Sequence, residues 1–195
     1  MDGGAGSAGA GAAPLVMRGV AATWAAIAAI AVPVAMAGKP ALRQENVSGY
    51  GVVLKVPSSW VALDASKMKL ARVAYAVADP KTVGGFHANL NLLVTPIPAG
   101  TTIRQWLLGK SAKKYLAIGT LKTIRINGET ALAYESSKLE VSGGLALYTL
   151  EYAFNHDGKA YLFTYTAPAS AKARFAAEYK ASAATIKFIK APPGA

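Results

Sequence analysis

The run "LALYTLEYAFNHDGKAYLFTYTAP", Leu145–Pro168, decides the fold. Leu145, Leu147, Thr149, Glu151 and Ala153 alternate with Ala146, Tyr148, Leu150, Tyr152 and Phe154, the period of a strand. Asp157-Gly158 suits a tight two-residue hairpin, because both residue types tolerate the left-handed backbone that such a turn needs. The return strand ends at Pro168, which has no N–H for a ladder. Upstream, "LKTIRI" runs into Asn127-Gly128, a second hairpin signal, and "ETALAYESSKLE" returns to a connection at Gly143-Gly144. The sequence therefore predicts a four-strand antiparallel meander.

Further upstream, "YGVVLKVP" reads as a strand ending at Pro57, and "SSWVALDASKMK" as a turn with a short helix. "LARVAYAVADP" reads as a strand ending at Pro80, "KTVGGFH" as a flexible loop, and "ANLNLLVTPIP" as a strand. In that strand Leu90, Leu92 and Val94 share one face, and Asn89, Asn91 and Leu93 share the other. Thr102 and Gln105 have the spacing of a capping box and open a helix that Gly109 is expected to weaken or end. A last helix is expected with Ser170 as N-cap and an inward stripe of Phe175, Tyr179, Ser182 or Ala183, and Ile186. About seven strands and two or three helices, with the strands mostly joined by hairpins, argue for an α+β layered fold on an antiparallel sheet.

In order along the chain, "YGVVLKVPSSW", "NLNLLV", a helix, "INGETALAYE", "HDGKAYLFTYTAP" and a helix ending in "IKF" resemble PsbP-like domains. That family includes photosystem-associated extrinsic proteins and bacterial envelope proteins of the DcrB and Lpq-lipoprotein type. The resemblance covers Tyr50 to about Ile189 and implies an α/β/α sandwich: a central, mainly antiparallel sheet of about six or seven strands flanked by helices. Pro57 and Trp60 would form a corner and fill core volume. The lipid-attachment cysteine of the lipoprotein branch is missing, and no functional residue carries over.

Residues 1–37 read as a low-complexity leader followed by a secretory signal. Met17 and Arg18 precede the apolar run from Gly19, and Ala35-Met36-Ala37 is a small-x-small cleavage site. Translation is expected to start at Met17 and cleavage to follow Ala37, which sends the protein to the periplasm or outside the cell. A retained membrane anchor is the rival reading. Residues 38–48 read as a flexible leader, 49–190 as a single domain and 191–195 as a disordered tail.

The net charge of +11 belongs wholly to the part after residue 38, since Asp2 and Arg18 cancel before it. Arg104, Lys110, Lys113 and Lys114 lie close together without an acid and form a candidate basic binding face. For an exported chain this points to an acidic protein or an anionic membrane or envelope surface, and away from nucleic acid. Gly109-Lys110-Ser111 mimics the end of a phosphate-binding loop. Its first glycine position is occupied by Arg104, and bulky side chains fill the stretch that must be bare.

The absence of cysteine excludes disulfides, thiolate metal sites and thiol catalysis. His87 and His156 read as turn or surface residues, with a metal or acid/base role as the alternative. Asp64 and Asp79 sit at turns, and Glu135 reads as a solvated or turn carboxylate. Tyr148, Tyr152, Tyr161 and Tyr165 read as core beneath a helix, or as an aromatic groove for a small apolar ligand. No catalytic, cofactor or metal residue is assigned. The expected function is non-enzymatic binding or accessory work; a carrier of an apolar ligand comes second and an unrecognised hydrolase last.

Overall fold

The computed structural model of the chain describes residues 41–64, 73–117, 121–141 and 144–189, without the side chains of 111–117, 138 and 141. The signal segment, the cleavage site and the tail lie outside the described residues. The order is β1 (Leu42–Val47), β2 (Val52–Pro57), β3 (Val61–Ala62), β4 (Val73–Val83), β5 (Phe86–Pro96), α1 (Ile103–Ala117), β6 (Lys122–Ile126), β7 (Glu129–Val141), β8 (Leu145–His156), β9 (Lys159–Pro168), α2 (Lys172–Ala183) and β10 (Lys187–Phe188). Seven strands form one sheet in the order β3-β4-β5-β9-β8-β7-β6, and β1-β2-β10 form another. Every pairing is antiparallel.

The meander forms as β6 to β9. Asn127-Gly128 and Asp157-Gly158 both have positive φ throughout, as their turns require. Gly84-Gly85 does too, so the expected flexible loop is a tight hairpin between β4 and β5. Pro80 does not end β4: the strand continues to Val83 across a register shift between Ala78 and Thr82, which lets a proline sit without a ladder bond. The meander starts at the far edge and returns, so that β9 pairs along β5 from Asn89↔Thr166 to Pro96↔Lys159.

Residues 42–47 are a strand, where the sequence reads as flexible leader. They pair with β2 from Leu42↔Pro57 to Val47↔Val52. Arg43 explains why this polar segment is held. Its guanidinium donates to the carbonyls of Ser58 and Trp60 and to Glu45, clamping the Pro57–Trp60 turn. Trp60 N–H closes that turn on Pro57 O at 3.0 Å, and the indole is buried edge-on against Tyr179.

Alternation along the strands gives the large sheet two apolar faces. One face carries Leu90, Leu92, Tyr148, Leu150, Phe154, Phe163 and Tyr165, and packs under α2 and the small sheet. The other carries Leu132, Tyr134 and Ala153, and packs under Leu107 of α1 with Ile103 and Trp106. α1 opens with a reciprocal capping box: Gln105 N–H donates to Thr102 Oγ1, and Thr102 N–H to Gln105 Oε1. Gly109 does not stop it. α2 begins without a side-chain cap, because Ser170 falls inside a preceding 3-10 turn and Ala171 holds the cap position. Tertiary packing replaces the missing cap: Phe175, Tyr179, Ser182, Ala183 and Ile186 are all buried, the stripe expected from the sequence.

At the β4–α2 contact, Asp79 is a buried carboxylate rather than a turn residue. It accepts from Arg174 Nη2 at 2.8 Å and from Lys81 N–H at 3.0 Å. Glu178, one turn along α2, is raised to about 7, chiefly by burial; Arg174 opposes the shift and the charge of Asp79 adds to it. A carboxyl raised in the folded state weakens the fold as pH climbs from its unfolded value, about 4.5, to its folded one. Glu178→Gln is expected to flatten the loss of stability between pH 5 and pH 8 by roughly 1–2 kcal/mol, the solvent-exposed part of the group reducing the full linkage value. Urea denaturation of both proteins at the two pH values checks this; parallel curves would rule it out.

Candidate functional site

α2 packs on β2, β8 and β9, and its Lys172 and Lys180 side chains reach across to Glu135 of β7. Between helix and sheet lies a groove of about 580 Å³. Its floor is Ile124 of β6, Ala133 of β7, and Leu150 and Tyr152 of β8. These sit side by side because Ala133 opposes both Lys122 and Tyr152, and Glu135 opposes Leu150. The methyl group of Ala133 makes the depth: a larger residue there would fill the space between Ile124 and Tyr152. A register shift in β7 between Ser136 and Leu139 ends regular pairing beside the groove.

Lysines rim this floor. Lys122 stands at the start of β6, while Lys172 and Lys180 are two turns apart on one side of α2. Glu135 reaches both helix lysines, with Oε1 3.2 Å from Lys172 Nζ and Oε2 3.4 Å from Lys180 Nζ. Burial alone would raise this carboxyl. Hydrogen bonds and charge from Lys172 and Lys180 outweigh burial and lower it. Lys172 Nζ also lies 5.0 Å from the ring centre of Tyr148, a cation–π contact. Burial, with the Glu135 charge second, pushes the Tyr152 hydroxyl up to about 12, so it stays a neutral donor at the groove floor.

The structure disperses the site residues expected from the sequence. Arg104 and Lys110 are exposed on α1, on the opposite face of the sheet from the groove; the side chains of Lys113 and Lys114 lie outside the described residues. Tyr148, Tyr161 and Tyr165 are buried among core rings: Tyr148 and Tyr165 against Tyr179, Tyr161 against Phe188. Of the four tyrosines, Tyr152 alone lines the groove. Glu135 is a mid-strand residue held by two lysines, not a turn carboxylate.

His87 is buried, not at the surface, and its Nδ1 lies 2.8 Å from Asp79 O. His156 stacks on Phe188 at 4.2 Å and sits 3.6 Å from Glu129 and 3.5 Å from Asp157. His156 opposes Lys159, which opposes Pro96 at the end of β5 away from His87, roughly 30 Å off at the usual rise per residue. The two histidines do not converge. Among the described residues, no group of three or more histidines and carboxylates gathers as a metal site.

The sequence placed the candidate basic face on α1; Lys172 and Lys180 counted there only toward the general basic excess, and Lys122 was not singled out. A signal was present. Lys122 shares the phase of Ile124 and Ile126, and Glu135 the phase of Ala131 and Ala133, so both charges occupy positions that alternation assigns to the covered face.

A mainly antiparallel sheet with helices packed on it, entered through a Pro-x-x-Trp corner, defines an α+β protein of the PsbP-like fold. The cyanobacterial PsbP (CyanoP) from Synechocystis superposes with a TM-score of 0.58 over 80% of this chain and 98% of its own, at 14% identity. LpqN of Mycobacterium tuberculosis, a protein involved in cell envelope biogenesis, gives 0.52 over 78% and 93%, at 10% identity. A Bacteroides thetaiotaomicron protein gives 0.50 over 73% of this chain and 46% of its own, at 15% identity. At such identities the likeness is one of fold. The sequence itself matches no family model and no curated protein.

Proposed function

We propose that the chain is an exported, non-enzymatic accessory or binding protein that engages an anionic partner, an acidic protein or an envelope surface, at the rim of the α2–β6 groove. One observation carries the reading: Lys122, Lys172 and Lys180 ring an apolar floor, with Glu135 as the single carboxylate among the described lining residues. Cations beside apolar surface favour an anionic group attached to an apolar one. The separation of the histidines supports a binding role over catalysis. The fold shared with LpqN supports envelope work, and no helix among the described residues is long and apolar enough to cross a membrane.

The test compares two charge reversals on immobilised polyglutamate and on vesicles rich in anionic lipid. K122E/K180E is expected to weaken binding on the order of tenfold or more. R104E/K110E, on the opposite face, is expected to leave it within twofold. The reverse ranking would return the site to α1 and the basic face read from the sequence. A second reading, a carrier of a small apolar ligand, rests on the floor of Ile124, Ala133, Leu150 and Tyr152 and on a volume within the range of small-molecule pockets. Native mass spectrometry showing a co-purified ligand, lost on Ala133→Phe, would favour it.

A further inference from the structure

We infer that the groove's partner is an extended, acidic–apolar protein segment that adds to β6 as a further strand of the large sheet. The inference rests on the groove reading above and narrows its partner. β6 is the terminal strand of the sheet order, and no described strand lies beyond it. Ile126 and Glu129 flank the two-residue Asn127-Gly128 turn, and the residues flanking such a turn exchange both backbone hydrogen bonds. Ile126, Ile124 and Lys122 therefore direct their N–H and C=O groups to β7. Thr123 and Arg125 direct theirs away from it, and both residues are exposed. The edge offers two donors and two acceptors in a row, the requirement for strand addition.

Side chains choose the occupant. Lys122 and Ile124 face the groove, and Arg125 faces the other side with one guanidinium N–H given to Gly128 O at 2.9 Å. An added strand would place an apolar side chain beside Ile124 on the groove face, and acidic ones beside Lys122 and Arg125. A second copy of this chain would set Lys122 and Arg125 against the same cations, a pattern that keeps like edges apart. An acidic segment finds those charges complementary.

The probe is a short, capped peptide with the core Glu-Val-Thr-Glu, which in antiparallel pairing sets glutamates beside Arg125 and Lys122 and valine beside Ile124, added to the full folded chain. Amide exchange, followed residue by residue, is expected to slow about tenfold or more at Thr123 and Arg125 when the peptide saturates. The same peptide N-methylated at alternate residues should bind at least tenfold more weakly, and so should Thr123→Pro, with the methylated peptide guarding against a variant that misfolds. If the peptide binds with unchanged exchange at Thr123 and Arg125 and methylation has no effect, strand addition is overturned while the basic groove stands. If anionic vesicles bind and the peptide does not, the partner is a surface and the inference falls. If no anionic probe binds, both readings fall. Concentration-dependent dimers that protect the same two amides would assign the edge to self-association instead.

Discussion

Replacing Tyr179 by alanine is expected to lower the stability of the domain by about 3–5 kcal/mol, the cost of emptying a large aromatic site. Tyr179 is fully buried at the meeting of α2, the large sheet and the Trp60 corner. Its ring stacks on Tyr148 at 6.0 Å and 5°, lies 5.1 Å from Tyr165 and 5.5 Å from Phe175, and receives the edge of Trp60 at 6.0 Å. Its hydroxyl donates to Thr166 O at 2.7 Å. The truncation thus removes packing between α2, the large sheet and the Trp60 corner together. For a domain of this size the midpoint should fall by on the order of 10 °C. Tyr179→Phe should cost only about 1 kcal/mol, because it loses the hydrogen bond and keeps the rings. Thermal unfolding by circular dichroism checks both; equal losses would mean the hydroxyl, not the stack, holds α2.

Replacing Arg174 by glutamine is expected to cost about 2–3 kcal/mol, below the full value for a broken buried pair because the arginine itself is half exposed. The loss arises on the other partner. The Asp79 side chain is only 4% exposed, and without the guanidinium its charge is left with the hydrogen bond from Lys81 N–H. The control is Asp79→Asn. In the Arg174→Gln background it should restore stability, since the buried charge is gone; in the native background it should destabilise. A double-mutant cycle in urea measures the coupling. Additive single and double effects would show that Arg174 acts through packing on Phe175, whose ring it also covers at 4.5 Å, rather than through Asp79.

The elements of this fold were more legible than its site. Leu145–Pro168 announced β8, β9 and their turn because alternation and Asp-Gly chemistry are local and short-ranged. β1 was missed because "LRQENV" has a polar surface pattern; what makes it a strand is Arg43 reaching the carbonyls of Ser58 and Trp60, beyond the range of periodicity. Glu135 and Lys122 were charges in a covered phase, a readable anomaly. Their meaning required α2, because Lys172 and Lys180 come from a segment remote in sequence and reach Glu135 only after the helix has docked.

By itself the sequence determined an antiparallel α+β protein with a four-strand meander, a capped α1 and an apolar stripe on α2. It also settled a strongly basic, cysteine-free composition. These follow from backbone preferences and side-chain phase, properties that each segment carries alone. Tertiary structure decided that β9 returns to β5, that β6 is left as an edge, and that α2 docks on β2, β8 and β9. It separated the histidines to opposite ends of the sheet and packed all four candidate tyrosines into the core, with Tyr152 also at the groove floor. Those outcomes depend on which surfaces bury one another. That choice is made by the summed packing of many distant residues, chiefly the rings around Tyr179, and no single stretch encodes it.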